Sequence, residues 1–296
     1  VLRRPDVHQR QLQHRGATRQ TQQALRGAQR DDDGAAVYVA HPPAARAVPP
    51  LDPVSRRDYG AEVQAPGAIL RFAVPRPTLW QRLTGAGFSR FEAGDLIGIV
   101  PEGSPVPRFY SLASAARDGF IEIVIRKHVG GLCSGQLMAL EEGGSVRAFL
   151  RPNPAFHAED ARTPLILVGA GTGVGPLAGF IRANAARRPV SLFFGMRHPE
   201  SDFYYGEELS RWSQEGRVQR IVTAASRGQR PRYVQDALRA EAAEVARLIA
   251  SGARVMVCGG REMASGVADT LADILSPLGL TTQGLKAEGR YVEDVY

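Results

Sequence analysis

An apolar run that ends in four closely spaced glycines constrains this chain more than any other feature of its sequence. Residues 165–168 read Leu-Ile-Leu-Val, and Gly-Ala-Gly-Thr-Gly-Val-Gly-Pro follows them, with Pro176 at the start of a helical stretch. A buried strand that turns through glycines into a helix lets the backbone approach a pyrophosphate. The run matches neither G-x-G-x-x-G nor G-x-x-x-x-G-K-[ST], so a tight turn without a ligand stays an alternative at this point.

The segment after this turn alternates predicted strands with predicted helices. The predicted strands span residues 164–168, 190–194, 217–223 and 254–258, and the predicted helices span residues 176–186, 204–214, 233–250 and 263–275. Such alternation is typical of parallel βαβ units. We therefore predict an α/β doubly wound domain with a parallel sheet over residues 161–296.

Residues 59–160 show short strands separated by glycines and prolines. The predicted strands span residues 68–74, 95–100, 108–113, 120–126 and 145–149, and one short helix runs from Ser134 to about Leu140. This pattern predicts a domain that is an antiparallel β-barrel or sandwich. The boundary between the two domains is expected near residues 158–163.

Residues 1–58 are rich in Arg and Gln, then in Ala and Pro, and lack apolar periodicity. A segment of this composition buries too little apolar surface to offset its ordering entropy, so we predict a disordered or atypical N-terminal segment. A basic arm for nucleic acid or a membrane surface is the alternative. Tyr38 is the one aromatic residue among its arginines, so no aromatic residues alternate with them, and we therefore expect no nucleic-acid partner.

Composition and charge narrow the remaining classes. The formal net charge is +7, which suits an anionic or phosphorylated ligand. There is no run of about 18 apolar residues, so no transmembrane segment is expected, and no apolar segment of a secretory signal follows Arg3 and Arg4. Cys133 and Cys258 form no CxxC pair and are predicted to be free thiols of a cytoplasmic protein. The six histidines lack metal-ligand spacing, and we expect no metal.

Two sequence patterns suggest which ligands the domains bind. Directly after the second predicted strand the chain reads Gly195-Met-Arg197, with no carboxylate where an NAD site would hold the ribose 2′-hydroxyl. Guanidinium and hydroxyl groups that suit a phosphate monoester cluster instead at Ser226, Arg227, Arg230, Arg232 and Tyr233, which favours NADPH over a merely solvated basic loop. In the first half, Arg108-Phe-Tyr-Ser111 combines a ring that can stack on a flavin with a cation for its pyrophosphate, although Tyr110 also suits an ordinary strand.

Seven motifs in order resemble those of the ferredoxin–NADP reductase superfamily, over about residues 65–296. They are Arg108-Phe-Tyr-Ser111, Gly131-Leu-Cys-Ser134, the glycine run to Pro176, Phe194-Gly-Met-Arg197 with Asp202-Phe-Tyr-Tyr205, Ser226-Arg227 with Tyr233-Val-Gln235, Val257-Cys-Gly259, and residues 289–296. The 2′-phosphate motif is similar to that of the diflavin branch, and the ending is close to that of the sulfite reductase flavoproteins.

The resemblance implies an antiparallel flavin barrel before an NADP domain, with FAD and NADPH as cofactors. The residues implied for FAD are Arg108, Phe109, Tyr110, Ser111, Val124, Gly131, Leu132, Cys133, Ser134 and Tyr296. Those implied for NADPH are Gly171, Thr172, Gly173, Arg197, Ser226, Arg227, Arg232, Tyr233, Gln235 and Cys258.

The resemblance also implies four catalytic residues, which meet around the flavin ring and the nicotinamide. The hydroxyl of Ser111 would hydrogen-bond flavin N5, and Asp294 would stabilise positive charge on the nicotinamide. Cys258 would pack against the hydride-donating carbon, although taken alone it suits a buried core thiol. Tyr296 would cover the flavin ring until NADPH displaces it.

Together these features predict an NADPH-dependent flavoprotein reductase that passes electrons to a one-electron acceptor. The acceptor would be an FMN or flavodoxin-like domain, a ferredoxin or a haem protein. The alternatives are a free-standing NAD(P)H:flavin or quinone reductase, and a non-catalytic flavin-binding subunit or truncated product.

Overall fold

The computed structural model describes residues 28–30, 36–38, 50–76, 79–84, 87–141, 143–158, 160–227 and 230–296. The chain divides into two compact units, Val1–Ala47 and Val48–Tyr296. In the first unit the described strands β1 (Ala28–Arg30) and β2 (Ala36–Tyr38) pair antiparallel.

Two antiparallel sheets form the first half of the second unit. One sheet has the strand order β3 (Pro50–Leu51), β9 (Val146–Arg151), β6 (Leu96–Val100) and β7 (Arg108–Ser111), and the other has the order β4 (Pro53–Tyr59), β5 (Gly67–Ala73) and β8 (Phe120–Arg126). A single bridge between Leu112 and Ile123 links them. Leu70, Phe72 and Ile97 belong to the apolar core of this half, and the helices α1 (Leu79–Thr84) and α2 (Leu132–Met138) complete it.

The sequence predicts a disordered or atypical segment over residues 1–58. This prediction is wrong for residues 50–58, which form β3 and most of β4. Strand β4 reads Pro-Val-Ser-Arg-Arg-Asp-Tyr, and none of its side chains is fully buried. It lies at the edge of its sheet, where backbone hydrogen bonds to β5 hold it. A strand held in this way carries no hydrophobic alternation from which it could have been predicted.

A five-stranded parallel sheet forms the second half, which confirms the predicted doubly wound α/β architecture. Its strand order is β12 (Arg220–Ala225), β11 (Val190–Met196), β10 (Leu165–Ala170), β13 (Arg254–Gly259) and β14 (Tyr291–Val295). Its helices are α3 (Val174–Ala183), α4 (Pro199–Asp202), α5 (Gly206–Gln214), α6 (Val234–Ala240), α7 (Ala242–Ala250), α8 (Arg261–Leu275) and α9 (Thr282–Ala287). Side chains of β10 alternate between two cores, Leu165 and Leu167 in one, Ile166 and Val168 in the other.

Two details of this half differ from the sequence prediction. The predicted helix over residues 233–250 is two helices that meet at Glu241, and β14 was recognised only as a terminal motif. β14 holds only one fully buried side chain, Tyr291, so its apolar signal is weak. Among the described residues, no helix combines the length and apolar character that crossing a bilayer requires.

Helix α3 packs directly on the antiparallel half. A Cβ added at Gly179 would lie 2.6 Å from the Cβ of Ala93 and 2.8 Å from the carbonyl oxygen of Ala113. A Cβ at Gly175 would lie 3.0 Å from a methyl group of Val124. Two glycines on α3 therefore let the helix backbone approach the strands closely.

The buried carboxylate of Glu122 also connects the two halves, through hydrogen bonds. Glu122 on β8 is fully buried, and Arg71 and Arg182 each donate a hydrogen bond of 2.5 Å to it. The hydroxyl of Tyr205 donates a third, of 2.9 Å. Burial lowers the pKa of Arg182, but the adjacent carboxylate of Glu122 raises it, and the pKa is raised overall. Because Arg182 and Tyr205 belong to the parallel half, this network fixes the two halves relative to each other.

We expect Gly179→Ala to destabilise the chain by about 1–3 kcal/mol, since the added methyl group overfills the contact between α3 and the strands. The matched control is Gly135→Ala in α2, where a Cβ meets nothing within 4 Å. There the change should be neutral or stabilise by up to ~1 kcal/mol. Urea denaturation followed by circular dichroism measures both. Equal stability of the two variants would contradict the packing described here.

Candidate active site

The candidate site lies at the carboxyl edge of the parallel sheet. Strand β10 is central, with β11 on one side and β13 on the other, so the strand order reverses there. The turn Gly171–Gly173 follows β10, and Gly260 follows β13. Such a reversal opens a crevice beyond the strand ends, which is where doubly wound sheets bind ligands.

The glycines of this turn serve two different purposes. Gly171 has φ +54°, a left-handed conformation that suits glycine, and it faces the crevice. Gly173 is buried, and a Cβ there would lie 2.1 Å from the carbonyl oxygen of Cys258. Gly173 is therefore needed for close packing of the turn against β13 rather than for contact with a ligand.

Three of the four predicted catalytic residues form one cluster. Cys258 and Asp294 are register partners on the adjacent parallel strands β13 and β14. The hydroxyl of Ser111, at the end of β7, donates a 2.5 Å hydrogen bond to Oδ2 of Asp294, and the thiol of Cys258 donates to the same oxygen at 3.8 Å. Residues 183 positions apart are thus brought into contact across the two halves.

The cluster holds one titratable carboxyl group and one inert thiol. Burial raises the pKa of Asp294, against the opposing hydrogen bonds from Ser111 and Cys258. Burial, and then the neighbouring Asp294, raises the pKa of Cys258 well above its usual range. The thiol therefore stays protonated, which suits packing rather than nucleophilic chemistry.

Tyr296, the fourth predicted catalytic residue, lies beside this cluster. Its hydroxyl shares a 2.7 Å hydrogen bond with the hydroxyl of Thr172, and its backbone N–H donates to the carbonyl oxygen of Gly259 at 3.2 Å. The side chain is exposed and lines two cavities. These contacts hold the terminal residue over the point where the cavities meet.

The first cavity has a volume of about 480 Å³ and lies along the crevice. The predicted NADPH residues that line it are Gly171, Thr172, Arg197, Ser226, Arg232, Tyr233 and Gln235. Three other predicted residues are placed elsewhere. Gly173 is buried within the turn, and Cys258 lines the second cavity. Nη1 of Arg227 donates a hydrogen bond of 3.0 Å to the carbonyl oxygen of Val63.

The second cavity has a volume of about 490 Å³ and lies against the antiparallel half. Every residue predicted for FAD lines it, namely Arg108, Phe109, Tyr110, Ser111, Val124, Gly131, Leu132, Cys133, Ser134 and Tyr296. Four residues line both cavities: Arg126, His128, Thr172 and Tyr296. The two cavities therefore join beside the Ser111–Asp294–Cys258 cluster.

Comparison with known proteins gives matches to both halves. Residues 167–269 match the oxidoreductase NAD-binding domain family. The chain is 36% identical over 215 residues to the sulfite reductase [NADPH] flavoprotein alpha-component of Salmonella paratyphi B, which covers 64% of this chain and 36% of that protein. The same component from Serratia proteamaculans is 36% identical over 230 residues, which cover 69% of this chain and 38% of that protein. The component from Escherichia coli O157:H7 is 35% identical over 215 residues, which cover 64% of this chain and 36% of that protein.

These matches agree with the resemblance of the chain's motifs to the ferredoxin–NADP reductase superfamily. The chain spans well under half the length of the curated relatives it matches. The motif order, the antiparallel sheets and the parallel five-stranded sheet all agree with this resemblance.

The residues of the second cavity fit the flavin dinucleotide that is typical of this superfamily. Tyr110 offers a ring face, and burial, with a hydrogen bond to Cys133, raises the pKa of its phenol so that it stays neutral. The turn before α2 is closed by Ser134, whose Oγ accepts from the backbone N–H of His128 at 3.1 Å. A Cβ at Gly131 would lie 2.6 Å from that Oγ, so glycine at this position leaves room for the Ser134 hydroxyl to close the turn.

Sequence reasoning missed several residues of the site. Arg126, His128, Asp202 and Glu262 all line the first cavity. Arg126 was within reach of prediction, because it is two positions after Val124 on β8 and side chains two apart share a face of a strand. Asp202 has a supporting role, since its carboxylate accepts hydrogen bonds of 2.7–3.0 Å from the backbone N–H groups of Arg197 and His198.

Proposed function

We propose that this chain is an NADPH-dependent FAD oxidoreductase unit that passes electrons to a one-electron acceptor. The proposal is supported most by the meeting of the two cavities over Tyr296, directly beside Ser111, Cys258 and Asp294. One cavity carries arginines and hydroxyls for a phosphorylated nucleotide, and the other carries aromatic side chains and a glycine turn for a flavin.

Bound FAD would supply the chemistry, accepting a hydride and releasing electrons one at a time. The chain's own residues would position the reactants and set the charge around them. Ser111 offers a hydroxyl that Asp294 already orients, and Asp294 in its charged form favours positive charge on a nearby nicotinamide. Cys258 offers a small neutral surface below the meeting point of the cavities.

The acceptor is proposed to be an FMN or flavodoxin-like domain, a ferredoxin or a haem protein. Relatives named for the flavoprotein component of sulfite reductase support a protein acceptor over free flavin or quinone. The two buried free cysteines support a reducing compartment such as the cytoplasm.

The direct test is to purify the chain with excess FAD, remove free flavin, and record the absorbance spectrum before and after anaerobic addition of NADPH or NADH. We expect a yellow protein whose flavin band is bleached faster by NADPH than by NADH. Turnover with a flavodoxin-like protein should exceed turnover with free flavin. A colourless protein after incubation with FAD would overturn the proposal, as would a flavin band that NADPH leaves unchanged.

Asp294 should set an acid limb on the rate of flavin bleaching by NADPH. Its carboxyl pKa is raised, and only the charged form favours a cationic nicotinamide, so the rate should fall as pH drops through a pKa above the ordinary range of Asp. Asp294→Asn should slow bleaching by about tenfold or more and remove the limb. Stopped-flow measurements at several pH values check this. Persistence of the limb in Asp294→Asn would assign it to another group.

Removal of Tyr296 should open the nicotinamide position. Displacing a stacked ring costs about 0.5–1.5 kcal/mol, so the chain ending at Val295 should bind NADP⁺ up to about tenfold more tightly. It should also discriminate less between NADPH and NADH. Tyr296→Phe is the control, because it keeps the ring and loses only the hydrogen bond to Thr172. If truncation changes neither affinity nor selectivity, Tyr296 does not gate the site.

A further inference from the structure

A third cavity, separate from the two described above, lies where the two halves meet the segment that connects them. Its volume is about 570 Å³, and it shares no lining residue with the other two cavities. Glu92 and Arg117 of the antiparallel half, several residues of the segment 154–161, and Arg188 of the parallel half line it. A cavity of this size accommodates a small organic molecule. The function proposed above uses none of these residues.

Arg188 is a buried cation of this cavity that has no anionic partner. Only 8% of the residue is exposed, and it lies between α3 and β11. Its Nη1 donates to the carbonyl oxygen of Asp160, whereas neither Nε nor Nη2 donates a hydrogen bond to a described residue. Burial lowers the pKa of Arg188, and the charge of Asp160 opposes this only in part. A buried charge without a counter-charge is costly, so an anion that reached Nη2 would be bound favourably.

The two carboxylates that line the cavity already have other donors. Glu92 accepts a hydrogen bond of 3.0 Å from Arg117. Asp160 accepts from the hydroxyl and from the backbone N–H of Thr163, at 2.6 Å each, and these bonds lower the pKa of its carboxyl group to about 2. Within the described part of the chain, Arg188 therefore forms no ion pair with either of them.

The wall of the cavity between the two halves is held in place by hydrogen bonds that need no ligand. Oδ1 of Asp95 accepts the backbone N–H of Asn153 at 2.7 Å and shares a hydrogen bond of 2.8 Å with Nε2 of His157. From the parallel half, Arg254 donates to the carbonyl oxygens of His157 and Ala155, at 2.7 Å and 3.1 Å. The cavity is therefore built into the fold before any ligand arrives.

Much of the remaining lining is apolar. Ala93 of the antiparallel half and Phe180 and Ala183 of α3 all line the cavity. An inorganic anion would leave these side chains uncovered, whereas a ligand with one anionic group and an apolar body would match both the apolar lining and the unpaired cation.

We propose that the third cavity binds a small organic carboxylate, whose anionic group pairs with Arg188 and whose apolar part packs against Phe180. Such a ligand would contact both halves and the segment between them. The inference is independent of the proposed function, because the cavity shares no residue with those proposed for FAD and NADPH.

Benzoate is the probe for this site, because it joins one carboxylate to one apolar ring. Benzamide, which has nearly the same shape without the charge, is the control ligand. Dissociation constants of both are measured by ligand-observed NMR titration of the full chain at constant ionic strength, with and without FAD and NADP⁺.

Two pairs of variants locate the binding. Arg188→Met removes the buried cation, and Arg162→Met is its control, because Arg162 is exposed and lines none of the three cavities. Ala183→Leu fills the cavity from α3. Its control is Ala186→Leu, at an exposed position that also lines none of the cavities.

Benzoate should bind about tenfold or more tightly than benzamide, because only benzoate pairs with the guanidinium group of Arg188. Arg188→Met should weaken benzoate binding by about tenfold or more, to the level of benzamide, whereas Arg162→Met should change it by less than about twofold. Ala183→Leu should weaken binding of both probes by about tenfold or more, since the added side chain takes their space, and Ala186→Leu should leave both unchanged.

Equal affinities for benzoate and benzamide would overturn the inference, as would equal losses in Arg188→Met and Arg162→Met. Displacement of benzoate by FAD or NADP⁺ would also overturn it, by placing the probe in one of the other two cavities. If Arg188→Met does not fold, the leucine pair decides, and equal benzoate binding by Ala183→Leu and Ala186→Leu overturns the site. A chain that binds benzoate in the expected pattern but takes up no FAD would overturn the proposed function and leave this site intact.

Discussion

The buried carboxylate of Glu122 is the contact on which the arrangement of the site depends. A buried carboxylate costs several kcal/mol unless donors surround it, and Glu122 takes hydrogen bonds from Arg71, Arg182 and Tyr205. Two of these donors belong to the other half of the unit. Because Ser111 comes from one half and Asp294 from the other, the 2.5 Å bond between them exists only while this junction is closed. The network of Glu122 lines neither cavity, yet it holds together the two halves that form the candidate site.

Much of this arrangement could be predicted from the sequence, and the reason is the order of its motifs. The glycine run gave the strand, the turn and the start of α3, and the Arg-Phe-Tyr-Ser motif lines the second cavity as expected. The parallel sheet followed from the alternation of apolar runs with helical segments. These features are local, in the sense that each is written within about a dozen neighbouring residues.

What the sequence could not give are contacts between distant segments. Arg227 belongs to a motif expected at the 2′-phosphate, yet its guanidinium group donates a hydrogen bond to the carbonyl oxygen of Val63. That oxygen is a backbone atom, and no side-chain pattern in the sequence reveals it. Strand β4 is held by backbone pairing and has no apolar face. Gly173 looks like a phosphate-binding glycine but is needed for packing against Cys258. For Arg227 and Gly173 the deciding partner is remote in sequence, whereas β4 pairs with β5, the next strand along the chain.

The candidate site carries opposite charges in two different places. Arg197 and Arg232 line the first cavity, whereas Asp294 lines neither cavity and is bonded to Ser111 and Cys258, which line the second. A nicotinamide carries positive charge only in its oxidised form, so a nearby carboxylate favours the product of hydride donation, whereas the arginines attract phosphates equally in both forms. Under the proposed function the two signs of charge would have different tasks, the arginines in binding and the carboxylate in hydride transfer, and Tyr296 lines both cavities.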